Sequence, residues 1–92
     1  MQLEVVSPER VLLKGEAKSV VLPGVDGKFQ ILNHHAPIIS ILAEGKLRIE
    51  MVEDLDKKFA ANFEKLNGKE VEIPISGGVL EMNNNKAIIL ID

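Results

Sequence analysis

Along most of this chain, apolar residues come in short runs or strict alternation, and turn residues break them at roughly every six to ten positions, the texture of short strands. Leu3 and Val5 alternate with Gln2 and Glu4, which predicts a strand with one wet face. Ser7-Pro8-Glu9 ends it, since proline removes a donor and fixes φ. Val11-Leu12-Leu13 predicts a second strand, Lys14-Gly15-Glu16 a turn, and Val20-Val21-Leu22 a third strand closed by Pro23-Gly24. Asp26-Gly27 marks a tight hairpin or bulge, because glycine accepts positive φ without strain. Phe29 and Ile31 alternate with Lys28 and Gln30 beyond it, and Asn33-His34-His35-Ala36-Pro37 is the next turn. Ile38 to Leu42, broken only by Ser40, predicts a strand buried on both sides, and Leu47, Ile49 and Met51 give the cleanest alternation in the chain.

The period then changes. Leu55, Phe59, Phe63 and Leu66 fall on one face at helical spacing, and Glu53 or Asp54 can cap a helix of about three turns over 55–66. Asn67-Gly68 is a stop signal for it. Strand texture resumes with Val71, Ile73 and Ile75, where Pro74 signals an edge or a bulge, and continues through Val79 to Met82 and Ala87 to Ile91, with Asn83-Asn84-Asn85 as the turn between. The fold expected is all-β: a flattened β-sandwich of two antiparallel sheets, about ten short strands, with one short helix at 55–66 inside an expanded connection over 51–70. With 92 residues and no repeat or linker, residues 1–92 read as one domain.

Composition narrows the function classes. Apolar residues make up 46% and charged residues 27%, a globular profile, and cysteine is absent, so neither a disulfide nor a cysteine metal cluster supplements the core. A net charge of -3, scattered lysines and the absence of tyrosine and tryptophan argue against nucleic acid. No apolar run approaches the length needed to span a bilayer, and the opening residues lack the basic segment of a signal peptide. The protein reads as soluble and intracellular, free to sit at a membrane by holding an embedded partner.

Catalytic chemistry finds no footing. Threonine and cysteine are absent, and Ser7, Ser19, Ser40 and Ser76 lie in no nucleophile-elbow context. His34 and His35 are adjacent, so on an extended backbone they point to opposite faces and do not share a metal. Glu53, Asp54 and Asp56 sit where a helix start wants negative charge. The glycines form neither a dinucleotide fingerprint nor a phosphate loop. No catalytic residue, metal ligand or cofactor is assigned, which leaves protein binding.

Three blocks carry a resemblance: Leu3-Glu4-Val5-Val6-Ser7-Pro8-Glu9 with Lys14-Gly15-Glu16; the run from Val21-Leu22-Pro23-Gly24 through Asp26-Gly27-Lys28 to His34-His35-Ala36-Pro37; and Ile75-Ser76-Gly77-Gly78-Val79-Leu80-Glu81-Met82 to Asp92. Over roughly 1–50 and 71–92 the chain resembles the N-terminal domain of the epsilon subunit of F-type ATP synthase. The resemblance implies a non-catalytic rotor subunit of the central stalk, binding the gamma subunit and the ring of c subunits. It would sit peripherally at the cytoplasmic face of a bacterial membrane, uninserted, and support the coupling of proton transport to ATP synthesis. By position it puts the ring contact on Asp26, Gly27 and Lys28 with His35 nearby, and the gamma contact on Ser7 and on Phe29, Gln30, Ile31 and Leu32. Many relatives carry a carboxylate where this chain has Lys28, so the charge there is reversed. The family's connection at 51–70 is usually short, and many members continue past the position of Asp92 into a helical hairpin. The form expected here lacks that hairpin, so its regulatory inhibition and ATP binding are not carried over. The alternative from another class is a free-standing β-fold binding module unrelated to the synthase.

Overall fold

One long strand organises the molecule. The computed structural model describes residues 1–54, 59, 64–67 (as backbone) and 69–92. In it the strands are β1 (Gln2–Val6), β2 (Val11–Gly24), β3 (Gly27–Leu32), β4 (Ile38–Leu42), β5 (Gly45–Met51), β6 (Glu64–Asn67), β7 (Glu70–Ile75), β8 (Gly78–Asn83) and β9 (Lys86–Ile91). The inward residues of β2 change parity along it: Leu13 and Ala17 are buried at odd positions, then Val20 and Leu22 at even ones. The cause is an irregularity in the pairing with β5 between Ala17 and Ser19. Such a bulge bends the strand and turns its side chains over, so the two halves of β2 serve two layers. Residues from Val11 to Glu16 pair with β1, whereas Ser19 to Gly24 pair with β3 and residues from Ala17 to Val21 with β5.

One layer is therefore β4, β8, β9, β1 and the first half of β2, and the other is β3, the second half of β2, β5, β7 and β6. Gly24 also pairs with Leu42 of β4, which makes the hydrogen bonding continuous around the closed end. Between the layers lies one core of Leu3, Val5, Leu13, Val20, Leu22, Ile31, Leu47, Ile49, Ile73, Leu80, Met82 and Ile89 with their neighbours. Met1 joins it, and its amino group donates to Glu16 Oε2 at 3.1 Å, to the Ala17 carbonyl at 2.9 Å and to Asn33 Oδ1. Asn84 and Asn85 at φ 50° and 56° form the two-residue β8–β9 turn, where both central residues need positive φ.

The expected sandwich is present, with three corrections. Among the described residues the strands number nine, and Lys14-Gly15-Glu16 is no turn but part of β2, with Gly15 facing the Met51 side chain. The layers are not two separate antiparallel sheets: they share β2, and β1 runs parallel to β9. The helix expected over 55–66 is overturned as drawn, because Glu64–Asn67 is strand, antiparallel to β7, and among the described residues only Phe59 has helical backbone. A helix of about twelve residues is marginal without tertiary support, and the open edge of β7 offers ladder hydrogen bonds instead. Phe59 is half-buried; Leu55 and Phe63 lie outside the described residues. Pro74 fits its expected place, past the last residue that β6 pairs.

The outer face of β2, β5 and β7 neutralises itself. Lys18 meets Glu50 at 3.8 Å, Lys46 meets Glu72 at 3.3 Å, and Arg48 Nε meets Glu70 at 3.3 Å. These pairs are solvent-exposed, and such pairs contribute little. Arg48→Ala is accordingly expected to change stability by less than about 1 kcal/mol in urea unfolding; a larger loss would mean that the pairs act as one network.

Candidate docking surfaces

The opposite outer face is built differently. In a sheet, residues directly across from one another share a face, and the register sets Ile41 beside Val79, Val79 beside Leu90, Leu90 beside Val6, and Val6 beside Val11. This makes an apolar row across all five strands of the layer, about 19 Å long at the usual strand spacing. Ile41 is 63% exposed and Leu90 52%, with Val79 and Val11 also exposed and Val6 half-buried. Ile39, 74% exposed, stands one step along β4 from the row. Contiguous exposed apolar patches are where interaction sites are looked for, and this row is the candidate docking surface.

The row ends at two places that the sequence had singled out. At one end the Val25 amide donates to the Ile41 carbonyl at 3.3 Å, so the Val25-Asp26 turn and Gly27 adjoin it, with Gly27 at φ 122°. At the other, Val6 and Val11 flank the turn in which the Ser7 amide and hydroxyl both donate to the Arg10 carbonyl, at 2.9 and 3.2 Å.

The remaining sequence-predicted residues separate. Asp26, Gly27 and Lys28 are exposed at the β2–β3 hairpin, but His35 lies beyond the far end of β3, about 17 Å away along a strand of this length. His35 is half-buried, with Nδ1 2.7 Å from the Ala36 carbonyl. His34 is not on extended backbone: its φ is 62°, and its amide donates to Asn85 Oδ1 at 2.7 Å, which pins this loop to the β8–β9 turn. Ser7 and β3 are likewise apart, since β1 and β3 lie end to end along β2. Of the four β3 residues expected at gamma, Ile31 is fully buried and Phe29 is half-buried against the core, which leaves Gln30 and Leu32 as the exposed ones. Ile31 thus supports its strand from within and is no surface contact.

The apolar row itself was missed. Ile38 to Leu42 read as buried on both sides, but only Leu42 is fully buried, and Ile39 and Ile41 face outward. The signal was there: a sandwich layer has one wet face, so strands that are apolar at both parities, as in Ile38–Leu42 and Ala87 to Ile91, put apolar side chains on the outer face as well.

No arrangement for chemistry accompanies this face. Among the described residues no group of three or more histidine, aspartate or glutamate side chains is placed to hold a metal ion. A surface hollow at the start of β2, lined by Lys14, Glu16, Met51, Glu53 and Asp54, presents no nucleophile. No helix among the described residues is long and apolar enough to cross a membrane.

Residues 1–63 match the family model of the ATP synthase Delta/Epsilon chain, beta-sandwich domain. The ATP synthase epsilon chain of Chlorobium limicola is 35% identical over 89 residues, covering 97% of this chain and 85% of that one. The chain belongs to the ATP synthase epsilon-chain family. It is therefore a non-catalytic subunit of a larger enzyme complex, not an enzyme itself. The epsilon chain of Desulfitobacterium hafniense is 42% identical over 90 residues, 98% of this chain but 57% of that relative's length. The fold also matches a chain in the Tetrahymena thermophila mitochondrial ATP synthase central stalk and c-ring structure, with a TM-score of 0.73 at 15% identity, over 99% of this chain and 62% of that one. A chain of the Euglena gracilis mitochondrial enzyme gives 0.74 at 22% identity, over 97% of this chain and 48% of that one.

Proposed function

We propose that this epsilon-type domain is a rotor adaptor of a bacterial F-type ATP synthase, peripheral at the cytoplasmic face of the membrane, that docks on the gamma subunit and on the c ring. In this role it helps couple proton transport to ATP synthesis and does no chemistry. The observation that carries the reading is the contrast between the two outer faces: one closes its own ion pairs, the other exposes an unbroken apolar row. A stable joint needs about 1,000 Å² or more of buried area, and a five-strand sheet face with its two end turns is the part of this molecule suited to supply it. Gamma is assigned to the row, with Ser7 at its rim. The ring is assigned to the exposed Asp26-Gly27-Lys28 hairpin, which adjoins the other end. Gln30 and Leu32 lie on the other layer and make at most a lesser contact.

The test is equilibrium binding to purified gamma, then to gamma with the c ring, using variants shown to be folded. Ile41→Asp with Leu90→Asp should weaken gamma binding at least about tenfold, since apolar contacts at the centre of an interface dominate its energy. Leu32→Asp should change it less than about threefold, as expected of a rim position. Lys28→Glu should act on the rate and salt dependence of ring docking more than on gamma. If the intact domain bound neither partner, the free-standing binding module would become the better account.

A further inference from the structure

The row next to the apolar one alternates apolar and charged side chains. Reading across the strands, Ile39 stands beside Glu81, Glu81 beside Ile88, Ile88 beside Glu4, and Glu4 beside Lys14. Glu81 is exposed, its two lateral neighbours are isoleucines, and it makes no ion pair among the described residues. Glu4 is half-buried and has Lys14 opposite it, although the two do not close an ion pair. On the other outer face Glu50, Glu70 and Glu72 each have a cation within reach. A carboxylate set among exposed isoleucines is poorly placed once that face is covered, because a desolvated charge without a partner is costly.

We infer that Glu81 is the electrostatic anchor of this docking face, receiving a lysine or arginine that the partner presents beside an apolar stripe. This rests on the reading of the face as the gamma-docking surface and adds the chemistry the partner must carry. The stripe covers Ile41, Val79 and Leu90, and the cation falls between Ile39 and Ile88. A second cation about 10 Å along, two strand spacings away, would meet Glu4, with Lys14 diminishing its worth. The same charges disfavour a second copy of this chain centred on this face. A twofold axis along β9, or across the strands along this row, sets Glu81 against the other copy's Glu4 or against its own counterpart. Like charges facing each other in an interface suppress that pairing.

The experiment measures binding of Glu81→Arg, Glu81→Gln, Ile41→Asp and Glu50→Arg to purified gamma at low and high salt, with folding checked by circular dichroism and self-association by sedimentation. Glu81→Arg is expected to weaken binding more than about tenfold and Glu81→Gln less, with both flattening the salt dependence. Glu50→Arg makes the same change of net charge on the opposite outer face, where Glu50 meets Lys18, and is expected to stay within about twofold. Wild-type affinity in Glu81→Arg, with binding lost in Ile41→Asp, overturns the anchor and leaves the apolar row standing. Wild-type affinity in both removes the face from the interface, and the anchor with it. An equal loss in Glu50→Arg assigns the effect to net charge and overturns the local contact. A wild-type dimer dissolved by Ile41→Asp overturns the inference by making a second copy the occupant.

Discussion

Ile31→Asp is expected to abolish cooperative folding, whereas the same change at the next residue, Leu32→Asp, leaves the domain intact. Ile31 is 0% exposed between the layers, and the described side chains that form the core are apolar. Removing the isoleucine side chain alone costs about 2–5 kcal/mol, and an unpaired buried carboxylate adds several more. A chain of 92 residues has about 5–14 kcal/mol of stability in all, so the substitution removes most or all of it. Leu32 is 53% exposed, and polar replacement at such a position costs little. Urea unfolding followed by circular dichroism makes the comparison. A cooperative Ile31→Asp transition close to the wild-type midpoint would place this residue outside the core.

The second large effect is expected at Gly78. A Cβ there would lie 2.3 Å from the Leu90 carbonyl oxygen and 3.1 Å from Ile91 Cα. Both are backbone atoms of the β9 ladder that Gly78 itself pairs with, so Gly78→Ala has to part the two strands. The expected loss is about 3 kcal/mol, in the range of backbone-strain substitutions. Gly15→Ala is the matched comparison. Its Cβ meets only the terminal Met51 Cε at 2.9 Å, the free end of a flexible side chain, and the expected cost is below about 1 kcal/mol. Equal losses in denaturant unfolding would contradict the distinction.

Most strands were legible because their burial follows period two. Leu47, Ile49 and Met51, and Val71, Ile73 and Ile75, are buried as their alternation predicted. The misreadings have separate physical causes. Lys14-Gly15-Glu16 has turn composition, but the glycine is there to make room for Met51 within a continuous strand, a requirement set by a residue far along the chain. The spacing of Leu55, Phe59, Phe63 and Leu66 is a local helix signal, and a local signal cannot report the unfilled edge of β7 that takes up Glu64–Asn67. The site residues read from resemblance gave positions along the chain but not their facing: Ile31 turns inward, and His35 falls at the opposite end of β3 from Lys28. The apolar row spans five strands and exists only through their register, so no single segment of sequence displays it.

The parallel pairing of β1 with β9 carries a consequence for how such a subunit enters its assembly. Translation is vectorial, and β1 finds one of its two neighbours only when Lys86–Ile91, about eighty residues later, has left the ribosome. Before that moment Val6 and Val79 have no Leu90 between them, and the docking face is two fragments. On the proposed docking on gamma, the apolar face is therefore whole only in a chain whose β1 and β9 have already paired.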